Sequence, residues 1–458
     1  MTAPALRTTP APAWRNLNTL QRLWASLYIV WALDVLLLIA AITGARVHRG
    51  AMQAVGKDTA PSIIAAQHIK SSLADMDANA ANELLGEPGK MPQAVKAYEK
   101  DRRDAATALI EAAKNITYGD AEQKPIEAIQ VGMGTYEAKV QRARDLHEQG
   151  DAAYVRAYRD AANVIDEVLL PEADNLDRAN HDVLERTYDE QKGKSVATIV
   201  FVLLMGAALV AALVFIQKFL NRKMRRILNP LLVLATLLTL GFVLYTYSVL
   251  GSERADLKVA KEDAFTSIHA LWRARAVAYA ANADESRYLL DAAHAQEHED
   301  NFHKKAALLA SIPSDAVLRT VLDHVRDGTK VNAVSGYLID ELNNITFEGE
   351  REAAVSALEY FNQYLSIDTR IRYLQQKGKH AEALELCIGT KPGESNAVFD
   401  QFDQAVGKTL DINQQEFDKA VAGGFSVLSH FEIKASIVAV VIALLAFFGL
   451  LKRIQEYR

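Results

Sequence analysis

The sequence predicts an all-α membrane protein, with four transmembrane helices and two tandem extracytoplasmic four-helix bundles. Three observations carry this expectation. The apolar residues gather in four blocks, 24–44, 196–216, 231–250 and 435–451. The long stretches between blocks one and two and between three and four repeat apolar residues at spacings of three and four, with no sustained period-two alternation. The chain also follows nearly the same plan on either side of a basic stretch at 217–229, QKFLNRKMRRILN.

Half of the residues are hydrophobic and 24% are charged, so the apolar content has to be segregated rather than spread. A helix rises about 1.5 Å per residue and the hydrocarbon of a bilayer is about 30 Å thick, so roughly 20 apolar residues cross it. The last block is shorter than that but borders Ile433, and a modest mismatch is tolerated. Orientation follows the basic residues of the short segments. Lys218, Arg222, Lys223, Arg225 and Arg226 in the joint, Lys452, Arg453 and Arg458 in the tail and Arg7, Arg15 and Arg22 at the amino end fall on one side of four crossings. That side is read as the cytoplasm, with both termini on it and the protein multi-pass in the plasma membrane.

The expected organisation follows in order. Residues 1–23 form a cytoplasmic amino-terminal segment, disordered over 1–13 and interfacial over 14–23. Residues 24–44 are the first span and 45–195 the first bundle. In that bundle Ile69, Leu73, Met76, Ala80 and Leu84 make a core stripe, and helices are expected at 92–114, 121–148 and 152–193, the last bent near Pro171. Residues 196–216 are the second span, 217–230 the cytoplasmic joint and 231–250 the third span. Residues 251–434 form the second bundle, 435–451 the fourth span and 452–458 the tail.

The two halves read as an internal repeat. A shift of 204 pairs Val55, Lys57, Ala60, Ile64, Ala66, Ala74 and Leu85 with Val259, Lys261, Ala264, Ile268, Ala270, Ala278 and Leu289. Further on, Asn115-Ile-Thr-Tyr118 recurs as Asn344-Ile-Thr-Phe347, and Gly150 with Ala153 recurs as Gly378 with Ala381. The offset has by then grown to about 228, which places an insertion near 313–340 of the second half. The Asn-Ile-Thr triplets fit a glycosylation acceptor but are read as a shared helix–turn cap.

Polar residues on apolar faces are the candidates for function. In the helix around 272–291 the heptad through Ile268 places Arg275 and Asn282 on the core face. With Arg273 and Arg287 they form a candidate site for a small anionic ligand, since the planar guanidinium matches a carboxylate. The competing reading is internal pairing with Asp400, Asp403 or Glu385. Asp75, Asn79 and Asn82 form a similar stripe in the first half. Asp34 lies near the middle of the first span, where a carboxylate costs a few kcal/mol. It either bonds Thr236, Thr239 or Thr246 or meets a partner. Gly206 to Ala212 offers a small-residue face for helix approach. His294 and His298 stand four apart, a spacing that suits a metal, but the order HAQEH lacks the glutamate of catalytic zinc helices. No cofactor is expected, no nucleophile or phosphate-binding motif is found, and the chain is not read as an enzyme. The single cysteine, Cys387, excludes an internal disulfide, and a net charge of −6 without a basic face excludes a nucleic-acid partner.

This layout of span, bundle and span, with bundle helices continuous with the spans, resembles the extracytoplasmic four-helix-bundle sensor domain of bacterial chemoreceptors and sensor kinases. The resemblance is one of pattern over 24–216 and 231–451 and carries over no ligand residue. It implies ligand-driven shifts of transmembrane helices, read by cytoplasmic domains. Here the segments 217–230 and 452–458 leave no room for such a domain. The expectation is therefore a non-enzymatic, receptor-like accessory subunit that passes an extracytoplasmic signal through the lipid bilayer to another integral membrane protein or to a further copy in a homo-oligomer. The rival expectation is a structural scaffold or assembly factor of a membrane complex.

Overall fold

The computed structural model describes residues 18–224, 228–332 and 334–456. The expected disorder of 1–13, the first four residues of the interfacial segment 14–23, and Arg7, Arg15, Arg225, Arg226 and Arg458 lie outside the described residues. Those described are helical or in turns, with no strand among them. The first half comprises α1 (Thr19–Gln53), α2 (Ala60–Leu85), α3 (Pro92–Lys114), α4 (Asp120–Glu148), α5 (Tyr154–Val164) and α6 (Leu170–Met224). The second comprises α7 (Pro230–Lys258), α8 (Thr266–Leu290), α9 (Ala295–Leu309), α10 (Asp315–Arg326), α11 (Tyr337–Asn344), α12 (Glu350–Gln376), α13 (His380–Ile388), α14 (Ser395–Val427) and α15 (Phe431–Gln455).

Three joins are π-helical turns rather than breaks: Ala54–Thr59, Ile165–Leu169 and Val259–Phe265. None of the three was expected, and the bend anticipated at Pro171 is replaced by the turn that precedes it. Pro171 follows that turn closely, and its missing N–H takes one donor from the helical ladder there. Four continuous helical stretches, Thr19–Leu85, Tyr154–Arg222, Pro230–Leu290 and Ser395–Gln455, are long and apolar enough to cross a membrane.

The chain divides into two compact units. An apolar unit holds Met1–Met52, Tyr188–Asp256 and Ala422–Arg458; a polar unit holds Gln53–Thr187 and Leu257–Val421. The apolar unit thus extends about two to four helical turns past the apolar blocks, taking in residues that the sequence assigns to 45–195 and 251–434.

The apolar unit packs Leu27, Leu37, Val202, Leu209, Leu232, Phe242, Ile442 and Ala446 inward. Its outer faces carry exposed Ile29, Leu36, Leu204, Leu237, Leu244, Ile437 and Leu444, a pattern suited to an apolar solvent. Gly206 sits where α6 crosses α7. A Cβ there would lie 2.3 Å from a methyl of Val243, so only glycine permits the approach. Ala207 and Ala211 are exposed instead, so the small-residue face is divided between a crossing and the surface. Asp34 is buried inside this unit, 4% exposed, and does not face outward. Thr236 and Thr239 donate to the carbonyls of Leu232 and Ala235 rather than to Asp34, which corrects the expected pairing with those two.

In the polar unit, α2, α3, α4 and the stretch from α5 into α6 share one core. Ile69, Leu73, Met76, Tyr98, Ala105, Ile129, Tyr136, Val140, Tyr158, Ile165 and Leu176 are buried in it. Burying a large apolar side chain contributes roughly 1.5–3 kcal/mol, enough for this core to hold without a disulfide. The second half packs Phe302, Phe361, Tyr364, Phe399 and Phe402 in an aromatic cluster, with centroid separations such as 5.3 Å for Tyr364–Phe399. Residues 310–336, which include α10, stand between α9 and α11.

The two Asn-Ile-Thr corners have the same construction. A π turn leaves backbone carbonyls without their helical partner. The Asn115 amide donates to the Asp58 carbonyl (3.1 Å) and to Ser62 Oγ (2.6 Å). The Asn344 amide donates to the Asp263 carbonyl and to Ser267 Oγ, both at 2.9 Å. Beside each, a glutamate accepts two backbone N–H groups, Glu122 from Thr117 and Tyr118 and Glu350 from Thr346 and Phe347.

Candidate functional site

Helices α2 and α8 lie against each other along the middle of the polar unit. Their contact brings Ser286 and Asn82 together, with Ser286 Oγ donating at 2.7 Å across a sequence separation of 204. Every residue of the chain from 278 to 291 is buried. The helix therefore has no solvent face on which to place its charges, and Asp284, Glu285 and Arg287 are buried with the rest. Amphipathic periodicity cannot reveal this, because it presumes that charged residues mark the outside.

Arg287 is the hub. Its guanidinium meets Asp77 of α2, Asp166 (2.8 Å) and Asp284 (3.1 Å). Tyr136 and Tyr158 donate their hydroxyls to the same Asp77 carboxylate, at 3.1 and 3.2 Å. Burial works against the charge on Arg287, but the carboxylates around it more than offset this and hold it protonated. Lys305 adds a second cation to Asp284 at 2.6 Å. Arg159 grips Asp291 with two parallel bonds of 2.6 and 2.7 Å.

Beside this network opens a cleft of about 300 Å³, lined by Arg159, Asn163, Asp166, Glu167, Arg287, Asp291, His294, Glu297, His298 and Asn301. His294 Nδ1 lies 3.3 Å from Asp291. His298 is placed between Asp284 and Asp291, at 3.9 and 3.7 Å, too far for hydrogen bonds to either. Burial, and then the nearby Arg287, lower its pKa below 6.5. At neutral pH it therefore stands as a neutral ring with both nitrogens open. Desolvation pushes Asp291 upward, but the bonds from Arg159 and His294 prevail and lower it overall. Such a cleft can hold a small polar molecule and can take up a proton at His298. Among the described residues no group of three or more histidine, cysteine, aspartate or glutamate side chains is placed to hold a metal ion.

The sequence candidates separate in the structure. Arg287, His294 and His298 share the cleft. Arg275 pairs with Asp403 at 2.6 and 2.7 Å, one of the three acids expected to compete for it. Arg273 lies over the Tyr337 ring, 4.7 Å from its centroid. The Asn282 amide donates to the Tyr364 hydroxyl at 3.4 Å. The four residues proposed for one anion thus serve four places. In the first half, Asn79 bridges Asp75 and Asp101, so that stripe is an interhelical contact. Sequence reasoning missed Asp77, Asp166 and Asp284, which answer Arg287, and the separate pair of Arg159 with Asp291. The one signal for them is the presence of an arginine in an otherwise alanine-rich core stripe.

A second polar cluster lies inside the apolar unit. Ser195 Oγ of α6 is 2.8 Å from His48 Nε2 of α1, whose Nδ1 meets Glu253 of α7. All three are buried, and they tie three helices together just beyond the apolar blocks. Ser195 lies within an unbroken helix, so the neighbouring backbone N–H groups are used in the helical ladder and none is free to stabilise an oxyanion. The cluster is a fastening.

Comparison with known proteins adds one match. The model of a family described as the actinobacterial sensor domain fits residues 51–189, a span that coincides with the first-half part of the polar unit and carries Asp77, Arg159 and Asp166. No curated protein and no solved structure matches the chain. Its first-half helices are thus similar to a sensor domain, joined to helices able to cross a membrane.

Proposed function

We propose that this chain is a receptor-like subunit of a bacterial plasma membrane, with the polar unit outside the cell and the basic joint in the cytoplasm. A small polar molecule enters the cleft beside Arg287 and His298 and alters how α2 and α8 pack. The helices that run unbroken into the apolar unit carry that change to another integral membrane protein. The observation that carries this reading is the similarity of residues 51–189 to a sensor domain, on helices continuous with the stretches 19–85 and 154–222.

On this reading the two halves are a duplication that folds as two four-helix bundles. The matched corners at Asn115 and Asn344 support it. So does a matched pair of aromatic contacts. Arg144 lies over Tyr98 (4.4 Å) and Arg372 over Phe302 (4.9 Å), with Tyr98 beside Tyr136 and Phe302 beside Tyr364. Tyr98 and Phe302 are separated by the first offset, and Tyr136 and Tyr364, like Arg144 and Arg372, by the second.

The test uses the full chain in lipid nanodiscs, screened against a panel of small polar metabolites for a rise in unfolding temperature. A compound that stabilises the protein should lose its effect when Glu167 and Asn163, both exposed on the cleft wall, are replaced by glutamine and alanine. If no compound shifts the transition, the cleft is not a receptor site. Crosslinking in native membranes would then name the neighbouring protein.

One observation favours the scaffold reading. Arg275 and Arg287 are engaged by carboxylates of the chain itself, as a strut would require. A neighbour that is a structural or secretion complex, with no ligand response in the polar unit, would decide for it.

A further inference from the structure

The apolar unit ends in a cleft at the basic joint. It measures about 310 Å³ and is lined by Gln217, Asn221, Asn229, Phe448, Lys452 and Arg453, among others. Its walls are fastened. Gln217 Nε2 donates to the Asn229 carbonyl at 3.1 Å, and the Asn229 N–H donates back to Gln217 Oε1 at 3.2 Å. The Asn229 amide also donates to the Gly449 carbonyl at 2.6 Å, joining the ends of α6 and α15 to the start of α7.

Around this cleft the charge is one-sided. Arg453 pairs with Glu456 at 2.5 Å, but among the described residues no carboxylate pairs with Lys452, Lys218 or Arg222. Lys218 and Arg222 line a separate groove of about 480 Å³, on another face of α6, with Phe215 and Phe219. Phe215 and Phe448 are each more than half exposed. Basic residues at a helix C-terminus also complement its dipole, and that accounts for one or two of them at each end. It does not account for a fastened cavity in which Lys452 meets no acid and the exposed ring of Phe448 lies alongside.

We infer that this cleft binds the headgroup phosphate of an anionic phospholipid, with the acyl chain lying along the exposed ring of Phe448. A phosphate needs cations at close range, and basic pockets between membrane helices recognise such headgroups. A free phosphate would gain nothing from the aromatic ring, whereas a lipid matches both surfaces at once.

The experiment places the full chain in nanodiscs of equal parts phosphatidylglycerol and phosphatidylcholine and counts retained lipids by native mass spectrometry. Phosphatidylglycerol should be retained preferentially. Lys452→Gln should lower that preference about five-fold, the loss of one interfacial cation, and Lys452→Arg should keep it. Lys434→Gln removes an exposed lysine from the opposite end of α15 and should change nothing. Equal retention of the two lipids overturns the proposal, as does an equal loss with Lys434→Gln. In a further arm, glycerol phosphate is added at the lipid's concentration. Failure to displace the lipid supports the proposal, and full displacement overturns the lipid as occupant.

Discussion

If the two halves are the duplication proposed above, Glu83 of α2 and Arg287 of α8, 204 residues apart, occupy matched positions and carry opposite charges. Glu83 is closed from within its own half, where Arg144 of α4 grips it at 2.6 Å. The matched arginine of the second half, Arg372, would face Arg287 and be repelled. It turns instead to Asp368, one turn back on its own helix, at 2.7 Å. Arg287 turns the other way, to Asp77 of the first half. One reversal of charge in a shared frame thus converts a tie inside a half into a tie between halves. The same frame can be closed in two ways, and the difference lies in who supplies the acid.

The largest test of this comparison is Arg287→Ala, which leaves Asp77 and Asp284 buried without their guanidinium. Breaking a buried pair from one side costs about 3–5 kcal/mol, to be read from denaturant unfolding of the full chain in micelles. A loss below about 1 kcal/mol, typical of a surface pair, would break the comparison. The double replacement Asp77→Leu with Arg287→Met should recover much of the loss, because removing both charges removes the desolvation penalty.

Arg144→Ala should cost less, about 1.5–3 kcal/mol, since the Glu83 pair is partly solvated and the remaining loss is the contact with Tyr98. Where the halves agree, the effects should agree. Asn115→Ala and Asn344→Ala each strand π-turn carbonyls and should each cost about 1–2 kcal/mol, within a few tenths of one another. A large inequality would show that the two corners are not equivalent.

The smallest effect concerns pH. Burial, and then the neighbouring Asp368, push Glu285 up to about 8 from an ordinary 4.5, while Ser395 donates to it at 2.7 Å. Its folded state therefore holds a proton that the unfolded chain releases. The stability it contributes is fully present below about 4.5 and is lost as pH rises towards about 8. Glu285→Gln should flatten the unfolding temperature across that window. The matched residue in the first half is Ala81, so no counterpart is expected there.

Much of the architecture is legible in the residues alone. Four apolar blocks of spanning length mark four long apolar helices, and Pro92, Asn115 and Gly150 mark the ends of α3 and α4 almost to the residue. Arg275 was offered Asp403 among three acids, because an arginine on a core face must find one. What could not be read is contact between elements of different halves. Asn82 with Ser286, Arg159 with Asp291 and Arg287 with Asp77 depend on how α2 meets α8, and no spacing within one helix encodes that meeting. The π turns were equally hidden, since an extra residue in a helix leaves no mark in composition.

Those extra residues set a phase. An α-helix turns 100° per residue, and a π turn accommodates one residue more than the ladder needs. One of the three turns, Ile165–Leu169, has helix of the polar unit on both sides. Deleting one residue in it would restore a regular ladder and barely shorten the stretch. It would also set the face that carries Tyr158 about a quarter turn out of step with the face that carries Ala173 and Leu176, which share its core. The helix would then have to abandon either the bond of Tyr158 to Asp77 or the burial of Ala173 and Leu176. This turn therefore acts as a gear tooth, fixing which face of α5 answers to which face of α6.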